Sequence, residues 1–307
     1  MNPTRSLLAF SATAALLSGC ATDAEPQDST ITVVASTSIW ADVAEAVIDT
    51  AQADVDIEVE PIVKGNGVDP HHFEPTAADL AKANEADVLI VGGGGYDSWL
   101  YQAVSNQDDI ISALPLTDHG ALDEQPDVVS AAEAKQDRDS ITNIDGNEHI
   151  WYDAAALEKV ASEVADLVNE ANPEAHASAA PLVERVEGIK QRLMQLPAVD
   201  YAQTEPIADY IMKYTDSTDV TPEGYRKATV SEGEPTAADL ARFLQAIKED
   251  KVELLVYNPQ TETDIATRIH DAAEQRHIPI VEIGETPPEG TNFLDYYDHA
   301  VSSLEAI

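Results

Sequence analysis

An eight-residue string occurs twice in this chain. Glu74-Pro75-Thr76-Ala77-Ala78-Asp79-Leu80-Ala81 returns unchanged as Glu234-Pro235-Thr236-Ala237-Ala238-Asp239-Leu240-Ala241. Each copy has the marks of a helix start. Thr76 or Thr236 serves as N-cap, an aspartate three residues on meets free backbone N–H groups, and a leucine turns to the core. Each copy also stands before an apolar run that reads as a strand, at 86–91 and at 252–257. Coincidence or convergent capping chemistry would produce the same string, but the matching placement makes two related lobes the better account.

The rest of the pattern agrees. Residues 31–36 are a β-branched run ending in small residues and read as a strand, and 38–47 carry Ile39, Val43, Ala46 and Val47 at helical spacing. A strand at 55–63, a short helix at 76–83 and the continuous apolar run 86–91 follow; such a run suits a buried parallel strand. Gly92 to Gly95 come next, then a helix at 96–104. The glycine run lacks the Lys-Ser/Thr of a phosphate-binding loop and the spacing of a dinucleotide fingerprint, so it reads as a tight strand-to-helix turn. The stretch 121–147 is rich in Asp, Glu, Gln and Ser and reads as a solvated loop.

Leu157, Val160, Val164, Leu167 and Val168 mark one amphipathic helix. Asn172-Pro173 ends it and opens another, with Leu182, Val183, Val186, Ile189 and Leu193 on its stripe. Pro181 inside that helix should kink it, at a cost of about 3 kcal/mol, unless the helix starts later. The second half returns to alternation, with a helix at 207–214, a strand at 252–257, a helix at 263–275 and a strand at 278–283. Strands alternating with helices give an α/β class with mostly parallel sheets.

Charge narrows the partners. Against 17 Lys+Arg stand 57 Asp+Glu, a formal net charge of −40. That repels nucleic-acid phosphates and offers no basic patch for anionic lipid. It raises the local concentration of cations, although salt adaptation or solubility alone also accounts for it. Apolar residues, at 44% of the 307, suffice for a sizeable core.

The chain's one cysteine rules out an internal disulfide and a multi-cysteine zinc cluster. Its setting is informative: Arg5 is a positive n-region, 7–17 is apolar but too short to span a bilayer, and Leu17-Ser18-Gly19-Cys20 follows. The tetrad looks like a bacterial lipobox, with Cys20 lipidated; the alternative is an ordinary secretory signal with an incidental cysteine. Residues 21–30 read as a flexible tether, so the folded part begins near Ile31, outside the cytoplasmic membrane.

Histidine is scarce, at eight. His71 and His72 lie in a loop between a strand and a capped helix, a common place for a ligand site. His149 stands at the edge of the acidic stretch. His119, His176, His270, His277 and His299 lack acidic partners at ligand spacing and read as structural or exposed. Among the acids, Glu205 and Glu285 stand out by position, each at the end of a strand or the start of a helix, facing a crevice. Imidazoles with carboxylates suit tetrahedral Zn²⁺, or Mn²⁺ if the carboxylates bind bidentately. No His-Glu-x-x-His element is present.

Asp69-Pro70-His71-His72-Phe73-Glu74-Pro75 resembles the first-ligand motif of the lipoproteins that feed zinc and manganese ABC importers. Asn147-Glu148-His149-Ile150-Trp151-Tyr152-Asp153 is similar to their second-ligand motif, and Thr204-Glu205-Pro206 falls on the third-ligand segment. The likeness runs from about Ile31 to the C-terminus and takes in the lipobox and Asp97-Ser98-Trp99-Leu100. It implies His71, His149 and Glu205 as ligands of one divalent transition metal, Zn²⁺ or Mn²⁺. Where many members carry an Asp after the last core strand, this chain has Gly284-Glu285-Thr286-Pro287-Pro288; Glu285 or water completes the shell. The His-rich loop of many zinc members is absent from the sequence.

The resemblance further implies two Rossmann-like lobes joined by a long rigid α-helix. The corresponding divisions are a signal peptide at 1–19, the lipidated cysteine and tether at 20–30, an N-terminal lobe at 31–172, the linking helix at 173–196 and a C-terminal lobe at 197–307. The implied partner is an ABC-transporter permease in the cytoplasmic membrane, served by a monomeric, lipid-anchored receptor that binds no nucleic acid. Because histidine binds metal only when neutral, affinity should fall below about pH 6.5. Two other readings stay open: a secreted metal-dependent hydrolase, and a surface adhesin with a structural metal.

Overall fold

The computed structural model describes residues 30–67, 70, 73–105, 109–116 and 128–307. Its first sheet holds β1 (Ile31–Thr37), β2 (Ile57–Val63), β3 (Val88–Val91) and β4 (Ile110–Ser112). All pairings are parallel and the order is β2-β1-β3-β4. Helix α1 (Ser38–Ile48) follows β1, α2 (Ala77–Glu85) precedes β3, and α3 (Ser98–Tyr101) precedes β4. Every residue of β3 is buried, as its unbroken apolar run requires.

The acidic stretch is not all loop. It contains β5 (Val128–Val129), the one-turn α4 (Ala131–Ala134) and β6 (Asn143–Ile144), with β5 and β6 paired in parallel. Helices α5 (Ala154–Ala171) and α6 (Ala180–Leu193) come next. The second sheet comprises β7 (Asp200–Gln203), β8 (Thr218–Asp219), β9 (Leu254–Tyr257) and β10 (Ile280–Glu282), parallel throughout in the order β10-β9-β7-β8. Around it lie α7 (Asp209–Met212), α8 (Glu223–Val230), α9 (Ala237–Lys248), α10 (Asp264–Gln275) and α11 (Phe293–Glu305).

Taken in chain order, both sheets run second-first-third-fourth strand. The repeated octapeptide opens α2 in one and α9 in the other, each immediately before the third strand. Both copies form the expected capping box: Asp79 and Asp239 N–H groups donate to Thr76 and Thr236, whose own N–H groups donate back to the aspartates at 2.8 and 3.1 Å. The two sheets therefore match in topology as well as in the repeated sequence.

The structure corrects two helix boundaries. The helix expected from Pro173 starts at Ala180, which puts Pro181 in its first turn, where the missing N–H costs nothing. The amides of Asn169 and Asn172 hold the intervening segment out of the helix. Asn169 bonds both backbone groups of Ala177, and Asn172 accepts from the Glu174 N–H. The helix expected at 96–104 is the single turn α3; beyond it the Asn84 amide takes the Ala103 carbonyl.

One hydrophobic core runs through both sheets, from Val33 and Ile90 past Trp40, Leu157 and Val186 to Tyr201, Leu254 and Val301. Polar ties reinforce it. The Phe293 N–H at the start of α11 donates to Asp42 of α1 at 2.6 Å, and Arg192 of α6 grips Asp298 and Glu305 of α11. Lys213 Nζ donates to Asp153 Oδ2 at 2.6 Å with both side chains fully buried. Among the described residues no helix is long and apolar enough to cross a membrane.

The glycine run after β3 is a turn locked from within. Asp97, fully buried, accepts from Gly92 N at 2.7 Å, Gly93 N at 3.0 Å and Ser36 Oγ at 2.6 Å. The N–H groups a phosphate would need are thus taken. Gly93 has φ +78°, and a Cβ there would collide with the Leu114 carbonyl oxygen.

Burial pushes the Asp97 carboxyl up to about 6 despite its three donors, and burial likewise pushes Asp42 up to about 6. Such groups hold more protons folded than unfolded between about pH 4 and 6, so their contribution to stability falls as pH rises through that window. The caps Asp79 and Asp239 are held low, chiefly by the threonine hydroxyls, and lose their contribution only as pH falls below about 4. The melting temperature of metal-free protein should therefore rise from pH 7.5 to pH 5 and drop below pH 4. A steady fall from pH 7.5 to 5 would contradict this balance.

Candidate metal centre

Parallel strands deliver side chains at their C-terminal ends, and three neighbours of the second sheet do so here. Glu205 follows β7, Asn258 follows β9 and Glu285 follows β10. From the first half, His149 comes just after β6, at the head of the 3₁₀ turn Ile150–Tyr152. One ligand atom from each of His149, Glu205 and Glu285 lies within 4.8 Å of the others. The structure thus brings together three of the four residues singled out in the sequence. The fourth, His71, lies outside the described residues, as do its neighbour His72 and Cys20.

Described residues on either side of His71 have fixed contacts. Thr286, next to Glu285, donates its hydroxyl to the Gly65 carbonyl at 2.9 Å, and Phe73 packs on Trp99 with ring centroids 4.8 Å apart.

The tautomer of His149 follows from its neighbours. The Asn147 amide nitrogen donates to the Pro206 carbonyl at 2.6 Å and to Asp209 Oδ2 at 2.8 Å, both acceptors only. Asn147 Oδ1 must then be the atom facing His149, where it accepts from the backbone N–H at 2.9 Å and from Nδ1 at 2.6 Å. Nδ1 carries the proton, which leaves the Nε2 lone pair directed at Glu285 Oε1, 3.2 Å away. Two lone pairs at that distance repel unless a cation lies between or beside them.

Asp209 itself is buried and fixed by the Gln203 amide at 2.7 Å and by the Arg226 guanidinium at 2.8 and 3.0 Å. Arg226 of α8 also holds Asp219 at 2.9 Å and Asp145 at 2.8 Å. Burial raises the Asp219 carboxyl even with that guanidinium beside it. A chain of charge-assisted bonds therefore runs from α8 through Asp209 and Asn147 to the imidazole, the usual way a metal-binding histidine is oriented.

Glu285 is fully buried. Its Oε1 accepts from Asn258 Nδ2 at 3.0 Å and its Oε2 from the Tyr96 hydroxyl at 3.1 Å. Glu205 is half-buried; its Oε2 accepts from Asn258 Nδ2 at 2.5 Å and from the Thr261 hydroxyl. Beside Glu205 a cavity of about 370 Å³ opens between Tyr225, Thr229, Pro235 and Thr263. Sequence reasoning passed over Asn258, although the signal that marked Glu205 and Glu285, a polar residue at a strand's C-terminal end, marks it too.

One histidine departs from its expected isolation. His270 lies with Asp271 and Glu274 within 4.8 Å on α10, a grouping that adjacent helical positions produce. Both carboxylates are exposed there.

Across residues 33–307 the chain matches the family model described as zinc-uptake complex component A, periplasmic. The manganese-binding lipoprotein MntA of Halalkalibacterium halodurans is 37% identical over 65 residues, 19% of this chain and 22% of that protein. The zinc-binding lipoprotein AdcA of Streptococcus pneumoniae is 20% identical over 226 residues, 68% of this chain and 42% of that protein. The chain therefore spans less than half the length of the curated relatives it matches. A crystal structure of ZnuA superposes with a TM-score of 0.62 at 18% identity, covering 91% of this chain and 98% of that one. At that identity the likeness speaks for the fold.

Proposed function

The chain belongs to the family of the zinc-uptake complex component A, and from that premise we infer that it is an extracytoplasmic receptor that captures one divalent transition metal, Zn²⁺ or Mn²⁺, for an ABC importer. The family is one of solute-binding proteins and not of enzymes. In this reading His71, His149, Glu205 and Glu285 surround the ion, and Cys20 carries the lipid that tethers the protein to the membrane. Lobes at 31–172 and 197–307 hold the ion between them, with 173–196 as the link. The partner is the importer's permease, and the receptor works as a monomer.

The observation that carries the reading is the facing of His149 Nε2 and Glu285 Oε1 across 3.2 Å, with Nδ1 already committed to Asn147. That arrangement calls for a cation, which a bound metal ion supplies. A shell closed by four protein ligands leaves no water position or general base for hydrolysis.

Purified protein stripped of metal should stay folded and take up one equivalent of Zn²⁺ or Mn²⁺ in a calorimetric titration. Uptake of neither ion would sink the receptor reading. Collapse of the fold on stripping would instead favour a structural metal.

A further inference from the structure

Resting on the receptor reading, we propose that Asn258 and Thr261 confine Glu205 to a single metal-binding oxygen and thereby bias the site to Zn²⁺ over Mn²⁺. The placement follows from the sheet. β9 lies between β7 and β10, so Asn258 stands one strand spacing from each of the flanking carboxylates. Its Nδ2 carries two hydrogens and meets two acceptors, Glu205 Oε2 at 2.5 Å and Glu285 Oε1 at 3.0 Å. The amide cannot be turned over, because Oδ1 accepts the Gln260 N–H at 3.0 Å.

Thr261 adds a second donor to the same Glu205 Oε2. A carboxylate oxygen has two in-plane lone pairs, and here both are engaged. Oε2 can join a metal only by giving up one of these two bonds, and the one from Asn258 comes from a fully buried amide. Glu205 therefore offers Oε1 alone. Glu285 is held at both ends, by Asn258 on Oε1 and Tyr96 on Oε2, which fixes the plane of its carboxylate. Zn²⁺ is content with four ligands, each giving one atom. Mn²⁺ favours six oxygen-rich positions and reaches them most readily through bidentate carboxylates. Asn258 and Thr261 are positioning residues in this scheme; neither binds the ion.

The test compares wild-type protein with Asn258→Ala and Thr261→Val. Competition against a chromophoric chelator gives the Zn²⁺ and Mn²⁺ affinities, and the Co²⁺-loaded forms give visible spectra. The Mn²⁺/Zn²⁺ affinity ratio should rise about tenfold in Asn258→Ala and roughly threefold in Thr261→Val. The strong tetrahedral Co²⁺ bands of the wild type should weaken in both, a change that loss of stability alone does not produce. Thr261 is partly exposed, so its variant keeps the test decisive even if Asn258→Ala does not fold. Wild-type binding with ratios and spectra unchanged in Thr261→Val and in any folded Asn258→Ala overturns this inference alone. A wild type that takes up neither ion overturns the receptor reading, and the inference with it.

Discussion

His149→Ala protein is expected to remain folded and to bind Zn²⁺ about 100- to 1000-fold more weakly than wild type. The scale follows from apparent zinc-site energies of about 10–16 kcal/mol shared among four ligands, roughly 3 kcal/mol each. The effect should be this large because the imidazole has no substitute. Its Nε2 is the one nitrogen in the described cluster, and its ring is preset by Asn147 and wedged edge-on against Trp151, with centroids 5.2 Å apart. His71→Ala should behave likewise under the proposed ligand set. Asn147→Ala keeps every ligand and loses only the orientation, so its cost should be smaller, about 10- to 100-fold. Calorimetry on stripped protein checks all three; unchanged titrations for His149→Ala would remove that residue from the site.

The second large effect concerns stability. Lys213→Ala should lower the unfolding free energy of metal-free protein by about 3–5 kcal/mol. The reason is Asp153, which is fully buried, caps α5 by accepting from the Ala155 N–H at 2.9 Å, and accepts from the Tyr214 hydroxyl at 3.2 Å. Burial already raises its carboxyl against the pull of Lys213. Removing the ammonium leaves that charge without its counter-ion. Asp153→Ala/Lys213→Ala should lose less than the two single variants summed, since neither charge is then stranded. Denaturant unfolding measures the cycle; a Lys213→Ala loss under about 1 kcal/mol would show the pair to be dispensable. The pair ties the end of α7 to the N-cap of α5, four residues after the proposed ligand at 149.

Much of the fold was legible because parallel α/β chains write their layers plainly. The buried run of β3, the amphipathic α5 and the twin capping boxes all depend on neighbours within a few residues. What escaped the sequence depends on distant partners. The late start of α6 is set by Asn169 and Asn172, whose amides have many possible targets in an unfolded chain. β5 and β6 have two residues each and exist only because they pair with one another, which no periodicity can announce.

The candidate site divides in the same way. His149, Glu205 and Glu285 were marked by motif or by strand-end position, and the fold gathers them. Asn258, Thr261 and Tyr96 were not marked, because their part is to hold a carboxylate, and any of the chain's many polar residues could do that. His270 shows the converse error. A histidine with acids one and four residues on acquires neighbours by helical geometry alone, and the exposure of those acids sets the group apart from the buried cluster.

The most direct test of the central claim is anomalous diffraction from a crystal of the Zn²⁺-loaded protein, recorded at the zinc edge. The account predicts one strong peak about 2.0–2.2 Å from His149 Nε2 and from one oxygen each of Glu205 and Glu285. A peak at His270, Asp271 and Glu274, with the buried cluster vacant, would contradict it.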